Sequence, residues 1–483
     1  MAEFHQVPAD ASTGQKLLNW VDNRFPFTKL WNDQWGKYYA PKNFNVWYIF
    51  GSLAMLVLVM QILTGIFLTM HYKPDASLAF ASVEYIMRDV PWGWLVRYMH
   101  STGASAFFIV VYLHMFRGLI YGSYRKPREL IWIFGCGIFL CLMAEAFMGY
   151  LLPWGQMSYW GAQVIVNLFA AVPFVGPDLA LLIRGDYVVG DATLNRFFSF
   201  HVIAVPLVLL GLVVAHLIAL HEVGSNNPDG IDIKKNLGSD GHPLDGIPSH
   251  PYYTTHDMFG ACVFLFIFSA VVFFAPEGGG YFLEYNNYIE ANPLRTPAHI
   301  APVWYFTPFY SMLRATTDLM VNVLAVILAA AAVLGILRGN FRATGKIVLA
   351  VGAVVAVALL KTFDAKFWGV VVMGGAVVIL FFLPWLDRSP VKSIRYRGVL
   401  YKSWLAAFVV VFLILGFLGT EKTTVWGQFH VREGSIFDTL LDTKDVATWV
   451  ARLCSIVYFL FFFLMPWYTA RDKVLPVPER VTV

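Results

Sequence analysis

Stretches of about 20 apolar residues recur along this chain, and each is long enough to cross the ~30 Å hydrocarbon core of a bilayer as a helix. Of its 483 residues, 58% are hydrophobic and only 14% are charged, whereas soluble domains carry about 25% charged residues. We therefore predict an all-α membrane protein with about ten transmembrane helices. The predicted spans are residues 46–71, 95–120, 130–152, 195–220, 257–275, 317–337, 346–361, 367–386, 402–419 and 447–468.

The distribution of Lys and Arg between the connections predicts an orientation, because basic residues concentrate on the cytoplasmic side. Alternate connections carry most of them, and both terminal segments belong to this set. We therefore expect both termini in the cytoplasm, and the first 45 residues contain no cleavable secretory signal. Two long connections on the opposite side, about 153–194 and 276–316, are rich in Pro, Gly, Trp and Tyr. Long ordered loops usually carry a site.

The net charge is +4, without a basic run of the kind that binds nucleic acid, so no nucleic-acid partner is expected. The four cysteines all fall in apolar segments without a CxxC pair, which argues against iron-sulfur clusters, zinc sites and disulfides.

Four histidines lie inside two apolar spans that cross the membrane in the same direction. His100 and His114 are 14 residues apart on the second span, and His201 and His216 are 15 apart on the fourth. At about 100° per residue each pair shares a broad helix face, and 1.5 Å of rise per residue separates the two levels by about 21 Å. One intramembrane histidine is as often a hydrogen-bonding core residue as a ligand. Four in this matched arrangement favour two sites at which facing imidazoles bind haem iron.

Two glycine pairs repeat the histidine interval, and glycine leaves the flat recess that a haem beside a helix needs. Gly51 and Gly65 lie on the first span, and Gly135 and Gly149 on the third, 14 residues apart in each case. Small-residue helix packing is the alternative for either pair alone. Basic residues near the span ends could pair with haem propionates or simply reach the interface. These residues are Arg97, Arg117 and Arg196.

With these residues the chain resembles cytochrome b, the haem-bearing core of the quinol:cytochrome c oxidoreductase (cytochrome bc) complex, in its unsplit bacterial form. The likeness runs from about residue 20 to 315 and resumes near 364. Its further motifs are GYLLPWGQMS at 149–158, HEVGSNNP at 221–228, HPYY at 250–253 and PVWY at 302–305.

The resemblance implies a Q-cycle in a bacterial cytoplasmic membrane. Quinol would be oxidised near the outer face, with electrons passing to a Rieske iron-sulfur protein and a c-type cytochrome, and quinone would be reduced near the cytoplasmic face. His100 and His201 would bind the outer, low-potential haem b, and His114 and His216 the inner, high-potential one. The family also implies a homodimer. We expect ubiquinone rather than menaquinone, although the 15-residue interval resembles the plastoquinol and menaquinol branch.

Quinone reduction takes up protons, so its site needs titratable groups near the cytoplasmic surface. His221 lies five residues beyond a predicted ligand, and Asp257 opens the fifth span. The resemblance implies that these two face the quinone, with Ser225 and Asn226 shaping the pocket. On sequence alone, Asp257 could instead be a helix N-cap.

The outer site lacks the glutamate of the family's usual Pro-Glu-Trp-Tyr motif, because Val303 stands in its place. Glu145 in the third span is the predicted replacement as proton acceptor, since a carboxylate in a transmembrane segment is costly and is a functional candidate by default. A structural, capped or water-bridged glutamate is the alternative. The remaining wall of the predicted quinol pocket is formed by Tyr150, Gly161, Pro302 and Tyr305.

Two apolar stretches within 317–363 have no counterpart in the family pattern and indicate an inserted helical hairpin that contacts lipid or an additional subunit. The predicted organisation is an N-terminal cytoplasmic or interfacial segment (1–45), a four-helix bundle for two b haems (46–222), a cytoplasmic loop (223–256), the fifth span with the outer loop (257–316), the hairpin (317–363), a C-terminal three-helix part (364–470) and a tail (471–483). A transporter or proton channel with a histidine relay, and a haem-bearing dehydrogenase anchor, remain the alternatives.

Overall fold

The computed structural model describes residues 10–340, 342–431, 434–435 and 440–482. Parts of the predicted segments 1–45, 317–363, 364–470 and 471–483 therefore lie outside the described residues. The α-helices, in chain order, are α1 (Thr13–Asp22), α2 (Phe27–Trp31), α3 (Phe50–Thr69), α4 (Ala79–Arg88), α5 (Gly93–Tyr121), α6 (Glu129–Leu151), α7 (Gln156–Phe169), α8 (Gly176–Arg184), α9 (Asp191–Ser199), α10 (Val205–Val223), α11 (Ser249–Phe274), α12 (Thr307–Ala315), α13 (Asp318–Arg338), α14 (Ala343–Thr362), α15 (Ala365–Leu386), α16 (Val399–Thr420), α17 (Val446–Phe463) and α18 (Met465–Arg471). Two short antiparallel strands are β1 (Tyr39–Pro41) and β2 (Gly246–Pro248).

Ten helical segments among the described residues are long and apolar enough to cross a membrane, which confirms the predicted fold class and number of spans. Three spans differ from the prediction by four residues or more at one end. The fourth span is continuous over Asp191–Val223. The fifth begins at Ser249, and the tenth ends at Phe463 before the separate helix α18.

The first four spans form a bundle of two helix pairs, in which α3 packs on α5 and α6 packs on α10. The described C-terminal helices α12, α15, α16 and α17 pack together, and α15 also contacts α6. One continuous apolar core runs through both parts, from Val57 on α3 to Phe461 on α17. The two parts are therefore packed as one body.

Helices α13 and α14 form a hairpin that packs mainly on itself. It has its own small apolar cluster of Val321, Ala325 and Leu360, and Lys361 Nζ donates a hydrogen bond of 2.7 Å to Asn322 Oδ1. Most of its side chains point away from the rest of the chain.

A π-helical turn, Phe200–Ala204, joins α9 to α10 and contains His201. Pro206 follows at the start of α10. Proline lacks the N–H that an α-helix requires and crowds the carbonyl four residues earlier, so the preceding turn widens. A π-turn rotates each residue by less than 100°, so five residues absorb roughly the rotation of one extra residue. The 15-residue interval from His201 to His216 therefore aligns these rings much as 14 residues align those of α5.

Candidate functional site

The four predicted ligand histidines meet in two pairs between α5 and the fourth span. The ring centroids of His100 and His201 are 6.2 Å apart, and those of His114 and His216 are 6.4 Å apart. A metal ion bonded at about 2 Å to one nitrogen of each imidazole separates the ring centroids by about 6 Å. The spacing of both pairs therefore fits a metal centre between the rings.

Each of the four predicted glycines faces one of these rings. A Cβ atom on Gly51 would lie 3.4 Å from Cε1 of His114, and one on Gly65 would lie 3.2 Å from Cε1 of His100. On the other helix pair, a Cβ on Gly135 would lie 3.4 Å from the His216 ring. The closest approach is at Gly149, where a Cβ would lie 2.4 Å from Cε1 of His201. The glycines therefore make room for the imidazole rings, whereas the sequence had predicted a recess for the haem itself.

Hydrogen bonds at the Nδ1 atoms orient two of the rings. His100 Nδ1 lies 2.9 Å from Thr64 Oγ1, and the Thr64 hydroxyl donates to the Met60 carbonyl. The His100 Nδ1–H is therefore the donor, and Nε2 is left with its lone pair for a metal. His201 Nδ1 lies 3.0 Å from both the backbone oxygen and Oε1 of Glu145. This assigns the same tautomer to His201.

The three predicted propionate-binding arginines differ in their surroundings. Arg117 stacks over Tyr48, with Cζ 4.9 Å from the ring centroid, and its buried Nε has no hydrogen-bond partner. Such an unpaired buried donor fits an anionic group. Arg97 lines a small cavity with Tyr98. Arg196 instead donates to the Leu182 carbonyl and is exposed, so the structure does not bring it to the histidines.

At the end of the bundle nearer His216, the N-terminal segment covers His221. Gln34 Oε1 accepts a hydrogen bond from His221 Nδ1, and the Tyr38 ring lies 4.5 Å from the His221 ring. The Tyr38 hydroxyl is in turn 3.1 Å from Ser225 Oγ. We call Gln34, Tyr38, His221 and Ser225 the His221 cluster. Gln34 and Tyr38 were missed by the sequence analysis because nothing in their local pattern distinguishes them from other polar residues of the segment.

Asp257 lies inside α11, so the structure does not support the N-cap alternative. Its carboxylate lies near the Ser52 hydroxyl of α3, and the turn Asn32–Gly36 contacts both α10 and α11. Asn226 is buried, and its amide donates to the Tyr121 carbonyl at 2.8 Å. Asn226 therefore fixes the loop to α5.

The two long loops that the sequence singled out are bound to each other. Gln156 N donates to the Ile289 carbonyl at 2.8 Å, and Ser158 N donates to Asn287 Oδ1 at 2.9 Å. A Cβ on Gly155 would lie 2.3 Å from Asn287 Oδ1, so only glycine permits this approach. The Pro-Trp-Gly-Gln motif thus anchors the second loop against the end of α6.

This contact leaves a cavity of about 540 Å³, which we call the Pro302 cavity. A volume of this size accommodates a small-molecule ring system. Of the predicted pocket residues, Tyr150 and Pro302 line it, whereas Gly161 and Tyr305 do not. Tyr305 is buried and stacks on Phe108 with a centroid distance of 3.9 Å, and a Cβ on Gly161 would meet nothing within 4 Å. Further lining residues include Met157, Glu284, His299, Val303, Trp304, Glu421 and Lys422.

Two carboxylates, those of Glu145 and Glu284, are candidate acceptors of a quinol proton. Glu145 is not among the cavity-lining residues, because its side chain turns towards His201, so acceptance of the proton by Glu145 stays a prediction. Glu284 lines the cavity, and its carboxylate accepts hydrogen bonds from Asn286 N at 2.7 Å and Asn286 Nδ2 at 3.0 Å. Burial raises the pKa of the Glu284 carboxyl, although these hydrogen bonds oppose the shift. Glu284 was not singled out from the sequence because nothing in its spacing distinguishes it from the other glutamates of this loop.

A bundle of spanning helices with two levels of facing histidines defines a polytopic membrane protein of the cytochrome type. Residues 35–224 match the family model described as Cytochrome b/b6/petB, and residues 290–345 and 354–437 match that of Cytochrome b(C-terminal)/b6/petD. The interruption between these last two ranges falls inside the α13–α14 hairpin.

Relatives match along nearly the whole chain. A protein of Allochromatium vinosum named "Cytochrome b" is 55% identical over 469 residues, covering 96% of this chain and 98% of the relative. "Cytochrome b/c1" of Bradyrhizobium diazoefficiens is 39% identical over 476 residues, covering 98% of this chain and 58% of the relative. A solved structure titled "Hyperthermophilic respiratory Complex III" superposes with a TM-score of 0.72 at 32% identity, covering 94% of this chain and 99% of that one.

The chain therefore belongs to the cytochrome b family, as the sequence resemblance predicted. Its relatives carry the name "Cytochrome b", its structural neighbour is a respiratory complex III, and membership of this family implies haem b.

Proposed function

We propose that this chain oxidises quinol in the Pro302 cavity, reduces quinone at the His221 cluster, and connects the two through two b haems. His100 and His201 hold one haem, and His114 and His216 hold the other. By the predicted orientation the first pair lies towards the outer face. The observation that carries this proposal is the spacing of the two imidazole pairs, 6.2 and 6.4 Å, at two levels of one bundle.

Haem iron held between two imidazoles supplies one-electron transfer without a proton. The protein residues orient the ligands, bind the propionates and make room for the rings. Hydrogen bonds from Nδ1 fix the imidazoles of His100 and His201. Arg97 and Arg117 would bind propionates, and the four glycines allow the helices to approach all four rings. Arg196 donates to the Leu182 carbonyl instead, so it is the least favoured of the three arginines for propionate binding.

At the His221 cluster, quinone reduction consumes two protons, and His221 and Asp257 supply them. Gln34 and Tyr38 hold the His221 ring, and Ser225 and Asn226 shape the loop beside it. In the Pro302 cavity, Tyr150 and Pro302 contact the quinol ring, whereas a pocket role for Gly161 and Tyr305, which do not line the cavity, stays a prediction. The role of Glu145, the predicted proton acceptor, is tested below with the variant Glu145→Gln.

The proposed partners follow from the same chemistry. Two electrons leave each quinol at the Pro302 cavity, one to the nearer haem and one to a Rieske iron-sulfur protein, which passes it to a c-type cytochrome. The relative named "Cytochrome b/c1" supports a bc complex with such a partner. We propose a homodimeric complex in a bacterial cytoplasmic membrane, with ubiquinone as the native quinone and both termini cytoplasmic. The α13–α14 hairpin offers a surface to lipid or an additional subunit.

The test is a redox titration of the purified complex followed by reduced-minus-oxidised visible spectra. Two b-type components are expected. His201→Leu removes one of them and His114→Leu removes the other, because each variant leaves one imidazole without its partner. His242→Leu is the control, since this exposed histidine stacks on Tyr39 outside the bundle. A wild-type spectrum without b-type bands would contradict the proposal.

A further inference from the structure

The Pro302 cavity needs a base, because quinol oxidation releases protons and Val303 cannot take one. Only two of the described carboxylates line this cavity, those of Glu284 and Glu421. We propose that Glu284 accepts one of the two protons that quinol releases in the Pro302 cavity, an inference that rests on the function proposed above.

The position of Glu284 supports this role. Its loop is fixed to the Pro-Trp-Gly-Gln motif through Asn287 and Ile289, so the carboxylate is held on the cavity wall across from α6. There it interacts electrostatically with the Tyr150 hydroxyl, which lines the same cavity. A quinol between Tyr150 and Glu284 has a carboxylate within reach of its hydroxyl group.

The environment of Glu284 suits proton uptake. The carboxyl is half-buried, and burial moves its pKa towards the range in which a carboxylate accepts a proton near neutral pH. The groups around it are Tyr150 from α6, His299 of the same loop, Glu421 and Lys422 after α16, and Tyr281 and Tyr285 of its own segment. His299 lines the same cavity and is close enough to influence the Glu284 carboxylate electrostatically, so its imidazole is the next proton acceptor in this proposal.

Quinol gives up two protons and two electrons. One O–H bond breaks as its proton binds a Glu284 carboxylate oxygen, and the second O–H bond breaks as its proton passes to water. The two electrons would go to the acceptors named above, the Rieske protein and the nearer haem. The ring becomes quinone, and Glu284 then releases its proton through His299 to water on that side. His299 Nε2–H donates to the Thr420 carbonyl at 2.9 Å, which holds the imidazole at the cavity wall.

A structural role is the competing explanation, because Glu284 also caps the short helical turn Tyr285–Tyr288. Glu284→Gln separates the two roles. The glutamine keeps a side-chain oxygen that accepts from Asn286 N, but it cannot bind a proton at this pH. Asn286→Ala tests the structural role alone, because it keeps the Glu284 carboxylate and removes the hydrogen bond from Asn286 Nδ2.

The experiment measures quinol-dependent reduction of a c-type cytochrome by the intact complex between pH 5.5 and 9, with haem content from reduced-minus-oxidised spectra. We expect Glu284→Gln to retain both haems, lose at least about tenfold in rate, and lose the decline in rate that the wild type shows towards acid pH. Glu284→Asp is expected to recover part of the rate. Glu290→Gln, which removes an exposed carboxylate of the same loop, is expected to match the wild type.

The inference is overturned if Glu284→Gln stays within twofold of the wild type with the same pH profile, or if Glu145→Gln or Glu421→Gln abolishes the acid decline while Glu284→Gln keeps it. A loss of rate in Asn286→Ala equal to that in Glu284→Gln would also overturn it, by favouring the structural role. Failure of the wild-type complex to reduce its haems with quinol would instead contradict the proposed function.

Discussion

The carboxylate of Glu145 lies 3.0 Å from Nδ1 of His201. A carboxylate that accepts from the Nδ1–H of a metal-binding histidine makes the ligand more basic and stabilises the oxidised metal. Glu145 is therefore placed to tune the haem held by His201, whichever residue accepts the quinol proton.

Glu145→Gln should raise the midpoint potential of that haem and leave the other unchanged. A charge-assisted hydrogen bond replaced by a neutral one weakens the interaction by about 1 kcal/mol, which corresponds to roughly 40 mV for one electron. The measurement is a redox titration of both b-type components. An unchanged potential with a slower quinol oxidation would favour the proton-acceptor role for Glu145 that the sequence suggested.

Gly149→Ala should disrupt the His201 pair, because the added Cβ would lie 2.4 Å from Cε1 and 2.9 Å from Nδ1 of that ring. One b-type component should be lost or altered in the visible spectrum, while the His114 component stays. Gly137→Ala is the matched control on the same helix, since its Cβ would meet Leu212 Cδ1 at an ordinary 3.5 Å. Equal spectra for the two variants would contradict the assignment of Gly149 to the haem site.

Gln34→Leu should slow quinone reduction at the His221 cluster about three- to tenfold. The substitution removes the acceptor for His221 Nδ1, and a single hydrogen bond at such a solvent-accessible position contributes about 0.5–1.5 kcal/mol. The readout is the rate at which added quinone re-oxidises the haem of the His114 pair. Gln34→Glu should retain most of the rate because it keeps the acceptor, and Asp33→Asn in the same turn should be neutral. A Leu variant as fast as wild type would argue against positioning by Gln34.

A carboxylate at position 303 should partly replace Glu284, because Val303 lines the same cavity. In a Glu284→Gln background, Val303→Glu should raise the quinol oxidation rate at least about threefold, whereas Val303→Gln should not. The comparison of the two double variants isolates the proton-binding group from the added polarity. Equal rates would mean that a carboxylate on this wall is not sufficient.

Asp245→Asn should lower the apparent Tm of the complex near neutral pH. Burial alone raises the pKa of Asp245, but hydrogen bonds from Arg480 and Val481, together with Lys42, hold it below the usual value. A lowered pKa contributes stability that is present above the ordinary value of about 4 and is lost as pH falls through the folded-state value. The difference between the variant and the wild type, of about 1–3 kcal/mol, should therefore shrink below pH 4. Asp240→Asn, at an exposed turn, is the control.

The sequence predicted the spans and the pairing of the four histidines because both depend on local periodicity. The length of an apolar run predicts a span, and the spacing of His100 and His114 is preserved in a regular helix. The π-turn at His201 could not be foreseen, although Pro206 was a signal that the helix is irregular there.

The cavity residues were harder to predict because they depend on how distant segments meet. Glu277, Glu284 and Glu290 belong to one loop and are indistinguishable by spacing, yet only Glu284 among them lines the Pro302 cavity. Glu145 was singled out because it is a carboxylate in an apolar helix, and the helix rotation that directs it to His201 is a tertiary property. Gln34 reaches His221 across 187 positions of sequence.

The widened turn at Phe200–Ala204 bears on how cytochromes of this type change length during evolution. A residue gained between the two ligands of the fourth span would rotate every earlier side chain by about 100° in an uninterrupted α-helix. Here the extra residue is accommodated within five residues, so the two levels of paired histidines keep their alignment while the segment becomes one residue longer. Chains that differ by one residue in this interval can thus preserve the same electron path.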